Sequence, residues 1–401
     1  MTTAATIREH IDAILPELIA LRHDLHAHPE LGYEEHRTSG VIRDALTNAG
    51  IEHVGDLAGG TGVLGHIPGT AEHGVGLRAD IDALPIVEQT GLEWASTHDG
   101  RMHACGHDGH TTILVGAARV LAEVAKSSPL PNPVSFLFQP AEEGGGGGER
   151  MVQDGCLNGS VLGPALGCMY GLHGWPVLHE HTVSSRPGPM LAAADRFNIT
   201  ITGLGGHAAM PHGTRDPIIA ATALIQTIQS IVSRNVDPVQ GAVISVTTIN
   251  AGSAFNIIPE TCTLSGTVRA LHQEAMDVVR ARLEEVVEAV PAAHGCRGEL
   301  DYLVGYPVTR NDPAEVDVVH ATARDVVGAD RVQPMESPVM GAEDFSYYCE
   351  QVPSCFFALG LLPPGRDEMP SLHHPCFDFN DAVIGTGVEL FCHLALKDRP
   401  A

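Results

Sequence analysis

Four short segments of this 401-residue chain carry side chains that commonly bind metal ions. They are Met102–His110, Gln139–Glu143, Gly171–Gly174 and Leu372–Pro375. Together they supply a thiol, several imidazoles and two adjacent carboxylates. Sulfur and imidazole anchor zinc-like or manganese-like ions, and carboxylates adjust the charge of the site. Ligands that converge from distant parts of the chain therefore predict a hydrolytic centre with a pair of metal ions.

Cys105 and His107 are separated by one glycine and precede a predicted helix over about residues 110–125. A helix N-terminus lowers the pKa of a thiol, which favours binding as a thiolate. An isolated pair of this kind is usually a structural cysteine beside a capping histidine. The other candidate ligands in the same chain favour the metal-binding interpretation.

Glu142 and Glu143 follow the apolar segment Val134–Phe138, which is predicted to be a short buried strand. One of two adjacent carboxylates can bind an ion while its neighbour accepts a proton from the attacking water. We assign Glu143 to the metal and Glu142 to the general base. Taken alone, the pair would be interpreted as a solvated acidic turn.

Two further sites offer imidazoles, and one aspartate could support them. His173 follows a short apolar stretch and is a candidate ligand, although a lone histidine is more often an ordinary loop residue. His373 and His374 are consecutive, so one of them points inward, and spacing does not choose between them. Asp80 follows a predicted strand that begins near Val75, and it either orients a ligand imidazole or serves as a turn residue.

His207 and Asn256 belong to the segments Gly205–His212 and Asn256–Pro259. A histidine and an asparagine on loops can donate hydrogen bonds to a developing oxyanion or to a substrate carboxylate. From the residues alone, ordinary loop positions are the favoured interpretation for both.

Helical and extended patterns alternate in the first third of the chain. This predicts an α/β catalytic domain with a mixed, largely parallel sheet flanked by helices. Between residues 193 and 306 the order becomes strand, helix, strand, strand, helix, strand, as in a split βαβ sandwich. We therefore predict an inserted α+β lid domain at 193–306, between catalytic segments 1–192 and 307–401. Ligands on loops after strand ends fit the usual site position in such sheets.

The formal net charge is −26, and only two of the cationic residues are lysines. Such a surface repels phosphate backbones and anionic lipid, so nucleic acid and membranes are excluded as expected partners. The most apolar helical segment, 217–233, is interrupted by polar residues, and no membrane span is predicted. A core of aliphatic side chains is expected, because 44% of the residues are hydrophobic and only 4% are aromatic.

The nine cysteines form no regular framework, and the opening segment lacks the basic start, apolar core and cleavage site that a signal peptide would show. Reduced thiols and a cytoplasmic location are therefore expected.

Motifs along nearly the whole chain give it a family resemblance. They are His26–Leu31, Arg78–Pro85, His103–His110, Gln139–Gly144, Gly171–Pro176, Gly206–Pro211, Asn256–Pro259, Gly341–Phe345 and Leu372–Pro375. The chain resembles the aminoacylase and carboxypeptidase family of two-metal amidohydrolases. The similar branch contains hippurate hydrolase, bacterial N-acyl-amino-acid amidohydrolases and plant auxin-conjugate hydrolases.

The resemblance implies a two-metal catalytic domain and a smaller lid domain that often forms the dimer surface, and hence a homodimer or higher homo-oligomer. It implies two divalent ions. A thiolate, imidazoles and carboxylates together suit zinc, manganese, cobalt or nickel, so the sequence does not name the metal. The implied metal ligands are Cys105, His107, Glu143, His173 and His373. The resemblance thus selects the first residue of the histidine pair.

The same resemblance implies roles for three further residues. Glu142 is the general base. His207 is the lid histidine that steadies the tetrahedral intermediate, in the site of the partner subunit, and Asn256 binds substrate.

The predicted function is hydrolysis of the amide bond of N-acyl amino acids, including hippurate-like substrates, to a carboxylic acid and a free amino acid. A dipeptidase and a deacetylase of the N-acetyl-diaminopimelate type are the alternatives, and comparing N-acyl amino acids with dipeptides separates them. A non-catalytic binding protein of the same fold would be expected to lack Glu142 or a ligand, and all are present.

Overall fold

A computed structural model describes residues 3–398 and divides the chain into two compact units. The second unit comprises Pro189–Thr309 and Pro338–Glu343, and the first comprises the rest. The predicted insertion at 193–306 lies inside the second unit. The chain returns to the second unit for the short segment Pro338–Glu343. This segment has neither helical nor strand-like apolar periodicity, so the sequence gives no signal of the return.

Helices are interspersed with runs of strands along the described residues. The helices are α1 (Thr3–Ala27), α2 (His36–Asn48), α3 (His107–Ser127), α4 (Gly147–Gln153), α5 (Pro217–Asn235), α6 (Gln273–Ala293), α7 (Pro313–Val327), α8 (Ser346–Cys349) and α9 (Ile384–Ala395). The strands are β1 (Glu52–Leu57), β2 (Gly62–Ile67), β3 (Gly74–Asp80), β4 (Val134–Gln139), β5 (Leu166–His179), β6 (Val183–Ser185), β7 (Gly188–Leu191), β8 (Ala193–Thr202), β9 (Gly206–His207), β10 (Ala242–Ala251), β11 (Ile257–Ile258), β12 (Thr261–Ala270), β13 (Arg297–Tyr306), β14 (Thr309–Asn311), β15 (Val332–Pro334) and β16 (Ser354–Leu362).

The first unit contains an eight-stranded mixed sheet in the order β1-β2-β4-β3-β5-β16-β6-β15. The central neighbours β4, β3, β5 and β16 are parallel, while β1 and β2 add antiparallel strands at one edge. Every residue of β3, β4 and β16 is buried, as expected of parallel strands covered on both faces. The predicted fold class is confirmed.

Helices α1, α3, α7 and α9 pack around this sheet and one another. Ile7, Ile11 and Leu18 form the buried stripe of α1, in agreement with its apolar period. Helix α3 begins at His107 rather than near residue 110. Gly106, at φ 92°, adopts the left-handed conformation that lets the chain enter the helix there.

The second unit has a four-stranded antiparallel sheet in the order β10-β12-β8-β13. Helices α5 and α6 pack on this sheet, and their apolar stripes form a separate core with the alternating inward residues of β8 and β12. The element order β8, α5, β10, β12, α6, β13 is the predicted split βαβ order.

Every helix within residues 3–398 is too short or too polar to span a membrane.

Candidate metal centre

The candidate site lies at the carboxyl ends of the central strands of the first unit. Asp80 ends β3 and is paired with Gln139, which ends β4, so the chains that follow both strands leave the sheet together. Strand β5 pairs with β3 as far as Gly171, and His173 lies two residues beyond that last pair. Carboxyl ends of parallel strands are the usual position for ligands in such sheets.

Cys105 and His107 enter the site from the start of α3, on either side of left-handed Gly106. Both side chains are buried, and the Cys105 Sγ lies 3.4 Å from the Nε2 atom of His173. His173, a candidate ligand after a short apolar stretch, lies within the long strand β5 and not in a loop.

The predicted ligand atoms converge into two groups. Cys105, His107 and His173 place their ligand atoms within 4.8 Å of one another, and so do Cys105, Glu143 and His373. Cys105 belongs to both groups, so its thiol is available to either of them. The structure thus brings together all five residues predicted to bind metal.

The two glutamates lie in the turn that follows β4. Ligand atoms of Glu142, Glu143 and His107 also lie within 4.8 Å of one another. Glu142 is buried, with 7% of its surface exposed, and the Glu143 side chain is 17% exposed. A second carboxylate therefore lies beside the candidate ligands, where a proton acceptor is needed.

Asp82 organises two candidate ligands, and sequence reasoning missed it. The Nδ1–H of His107 donates to the Asp82 main-chain oxygen at 2.9 Å and to its Oδ1 at 3.1 Å. The Oδ2 atom of Asp82 accepts a hydrogen bond from the main-chain N–H of Glu143 at 3.0 Å. The signal that could have found it is the Asp80-Ile81-Asp82 spacing, because residues two apart in an extended segment share a face.

Asp80 instead bonds an imidazole outside the predicted ligand set. Its Oδ1 accepts from Nδ1 of His110 at 2.7 Å, and its Oδ2 accepts from Arg78 at 2.7 Å. The Nε2 atom of His110 accepts from the main-chain N–H of Gly174 at 2.8 Å, so both of its ring nitrogens are in use. Asp80 Oδ2 lies 3.7 Å from Nε2 of His107, a distance at which it acts through charge.

The C-terminal histidines point in different directions. The Nε2 atom of His373 lies 3.1 Å from Oε1 of Glu143, and its main-chain N–H is held by the carbonyl of Ala104 at 2.7 Å. His374 uses its Nδ1 to accept from the main-chain N–H of Cys376 at 3.1 Å. His373 therefore faces the cluster, and His374 stabilises a local turn.

Protonation in the cluster is strongly perturbed. Burial raises the pKa of the Cys105 thiol, so the expected lowering by the helix N-terminus is outweighed. Burial lowers the pKa of His107, but the charge of Asp80 and the hydrogen bond to Asp82 oppose it, and the pKa lies well above its ordinary value. Hydrogen bonds to Cys105 and Glu143 raise the pKa of His373 to about 10. Binding of cations here must therefore be coupled to proton release.

The two predicted residues of the insertion lie in the second unit, on a short two-stranded ribbon. Strand β9, which ends at His207, pairs with β11, and the carbonyl of Asn256 accepts from the main-chain N–H of Ala208 at 3.1 Å. Nδ1 of His207 accepts from the N–H of Ala209 at 3.0 Å, so its proton resides on Nε2. Both residues are exposed.

The sequence matches peptidase family M20/M25/M40 over residues 76–397. It is similar to an N-acetyl-L-cysteine deacetylase of Bacillus subtilis, with 41% identity over 94% of this chain and 86% of that protein. It is also similar to a hippurate hydrolase of Campylobacter jejuni, with 36% identity over 96% and 99%. An IAA-amino acid hydrolase of Arabidopsis thaliana is 38% identical over 95% and 85%.

Solved structures share the fold over almost the whole chain. A putative aminohydrolase from methicillin-resistant Staphylococcus aureus superposes with a TM-score of 0.89 and 29% identity, over 98% of this chain and 100% of the other. The YXEP protein of Bacillus subtilis, described as a dinuclear metal-binding peptidase, superposes with a TM-score of 0.80 and 34% identity, over 96% and 98%.

Proposed function

This chain belongs to peptidase family M20/M25/M40 and is a metal-dependent amidohydrolase, and we propose that its substrates are N-acyl amino acids, hippurate-like compounds included. The observation that carries the proposal is the convergence of a thiol, three imidazoles and Glu143 around two overlapping groups, with Glu142 beside them. The relatives named for N-acyl amino acid hydrolysis support the substrate class.

The residues fit a pair of divalent ions. The Nε2 atom of His107 is buried and makes no hydrogen bond to any described residue, while its Nδ1 is held by Asp82, which is the arrangement a ligating imidazole requires. We propose that Cys105, His107 and His173 hold one ion and that Cys105, Glu143 and His373 hold the other. The mixed donor set suits zinc, manganese, cobalt or nickel. When bound, such ions polarise a carbonyl and lower the pKa of a water.

Glu142 is the proposed proton carrier. It lies next to Glu143 in the chain, and its carboxylate lies within 4.8 Å of the ligand atoms of Glu143 and His107. Its carboxylate accepts the proton of the attacking water and then transfers it to the leaving nitrogen, which departs as the free amino group. Burial around Glu142 limits competing bulk water at that step.

The second unit supplies the proposed substrate contacts. His207 carries its proton on Nε2 and is suited to donate to the developing oxyanion, and Asn256 to bind the substrate. We propose a homodimer in which His207 serves the site of the partner subunit. Strand β10 supports association, because it is an edge strand of its sheet and exposes Ile249. All nine cysteines are unpaired, which suits a reducing compartment such as the cytoplasm.

A substrate panel tests the proposal. Metal-free protein is reconstituted separately with zinc, manganese, cobalt and nickel, and release of free amino acid is measured from hippurate, N-acetylcysteine, indoleacetyl amino acids and dipeptides. N-acyl amino acids are expected to be cleaved with the highest kcat/KM in at least one metal form. Faster cleavage of dipeptides in every form would show that the chain is a dipeptidase.

Matched variants separate catalysis from metal loading. Glu142→Gln should be inactive with its metal retained, and a distant surface change, Glu123→Gln on α3, should behave as wild type. Sedimentation of the reconstituted enzyme tests the homodimer independently of its substrate.

A further inference from the structure

Glu35 is a fully buried carboxylate that the proposed chemistry does not use. It occupies the N-cap position of α2, where a side chain normally caps its own helix. Here Glu30 does that, because its two carboxylate oxygens accept from the main-chain N–H groups of Arg37 at 3.0 Å and Thr38 at 2.8 Å. The side chain of Glu35 therefore turns away from its helix.

The carboxylate of Glu35 instead reaches the turn that carries the two catalytic-site glutamates. One oxygen accepts from the main-chain N–H of Ala141 at 2.9 Å, and the other accepts from the hydroxyl of Thr61 at 2.8 Å. Ala141 directly precedes Glu142 and has a φ of 51°. This left-handed conformation is unfavourable for alanine, so something outside the turn must hold it.

Neighbours of Glu35 contact the same turn. A side chain at Gly32 would place its Cβ 3.0 Å from the Cβ of Ala141, so a larger residue there would press on the turn. The hydroxyl of Tyr33 donates to the carbonyl of Gly145 at 2.6 Å. Residues 32–35 thus hold the turn before and after its two glutamates.

We propose that Glu35 is a positioning residue, whose carboxylate holds Ala141 in the left-handed conformation and thereby directs Glu142 and Glu143 into the metal centre. The inference rests on the proposed function for the roles of those two glutamates. Removing the acceptor leaves a buried N–H without a partner, and the turn relaxes away from its unfavourable φ. The glutamates then lose their alignment, and loss of alignment reduces kcat more than KM.

Two conservative variants distinguish the position of the hydrogen-bond acceptor at residue 35 from its negative charge. Glu35→Gln keeps an acceptor within reach of Ala141 but loses the charge, and Glu35→Asp keeps the charge but withdraws the acceptor. Glu35→Gln should retain kcat within about threefold, while Glu35→Asp should lose roughly 30- to 100-fold with KM changed by less than about threefold. Thr61→Val removes only the other hydrogen bond and should resemble Glu35→Gln.

A second-site change tests whether the effect passes through residue 141. Glycine adopts positive φ without penalty, so Ala141→Gly should recover about fivefold or more of the kcat lost in Glu35→Asp. If Glu35→Asp lowers kcat equally with and without the Ala141→Gly change, the proposal is overturned. A Glu35→Asp enzyme with wild-type kcat would also overturn it.

Hydrogen exchange provides a readout that needs no substrate. In Glu35→Asp, peptides covering residues 139–148 should exchange about tenfold faster than in wild type, while peptides of β16 stay unchanged. Unchanged exchange at 139–148 would refute the positioning role even if activity fell. If wild type hydrolyses no N-acyl amino acid, the proposed function fails, and the exchange result alone decides the role of Glu35.

Discussion

Removal of the Asp82 side chain should weaken metal binding. One oxygen of Asp82 holds the Nδ1–H of His107 at 3.1 Å, and the other holds the main-chain N–H of Glu143 at 3.0 Å. The two residues come from different elements, α3 and the turn after β4, and each belongs to a different group of proposed ligands. Asp82→Ala therefore loosens both groups at once.

The magnitude follows from the number of bonds lost. A hydrogen bond to a charged group contributes about 1.5–3 kcal/mol, and two such bonds are removed. The main-chain oxygen of Asp82 still accepts from His107 at 2.9 Å, so the loss at that ring is partial. A net loss of about 2–3 kcal/mol corresponds to a roughly 30- to 150-fold weaker metal affinity.

The assay is a competitive titration of metal-free protein against a chromophoric chelator, with zinc and manganese in turn. Asp378→Ala is a suitable control, because Asp378 bonds Arg22 at 2.6 Å and contacts no proposed ligand among the described residues. If Asp82→Ala binds both ions within about twofold of wild type, the assignment of His107 and Glu143 as ligands is wrong.

Three further outcomes are expected. Glu142→Gln should keep its metal and lose at least about 1,000-fold in kcat, and metal loss on elemental analysis would contradict its role as proton carrier. Cys105→Ala should lose both ions, because its sulfur belongs to both groups, and a fully loaded variant would exclude it as a ligand. Burial raises the pKa of Glu35 from 4.5 to about 7. The contribution of this group to the stability of metal-free protein should therefore be complete below pH 4.5 and be lost as pH rises through 7. Residue 35 cannot ionise in Glu35→Gln, so this variant should be more stable than wild type by about 2 kcal/mol at pH 8 but not at pH 5, as measured by urea unfolding. The same dependence of the unfolding free energy on pH in both proteins would refute this.

The hydrogen-bond partners of the site could not be read from the sequence. Asp80 and Asp82 are equivalent candidates by spacing, and only the meeting of the β3 end with α3 gives Asp82 to His107 and Asp80 to His110. His110 has the same chemistry and nearly the same position as His107, yet its second nitrogen is taken by the N–H of Gly174. The role of Glu35 depends on a contact with a residue 106 positions away.

The residue types that could bind metal, the fold class and the order of the inserted elements are determined by the sequence alone. Apolar periodicity and ligand chemistry are properties of the chain itself, so local segments such as Val134–Phe138 and Met102–His110 reveal them. The residues alone left His373 and His374 as alternatives, and the family resemblance selected His373. The tertiary structure alone decided which imidazole nitrogen faces the cluster and how the turn of Glu142 is held. Those choices depend on which strand and helix ends become neighbours, because each buried polar atom takes its partner from whatever the fold places within hydrogen-bond distance.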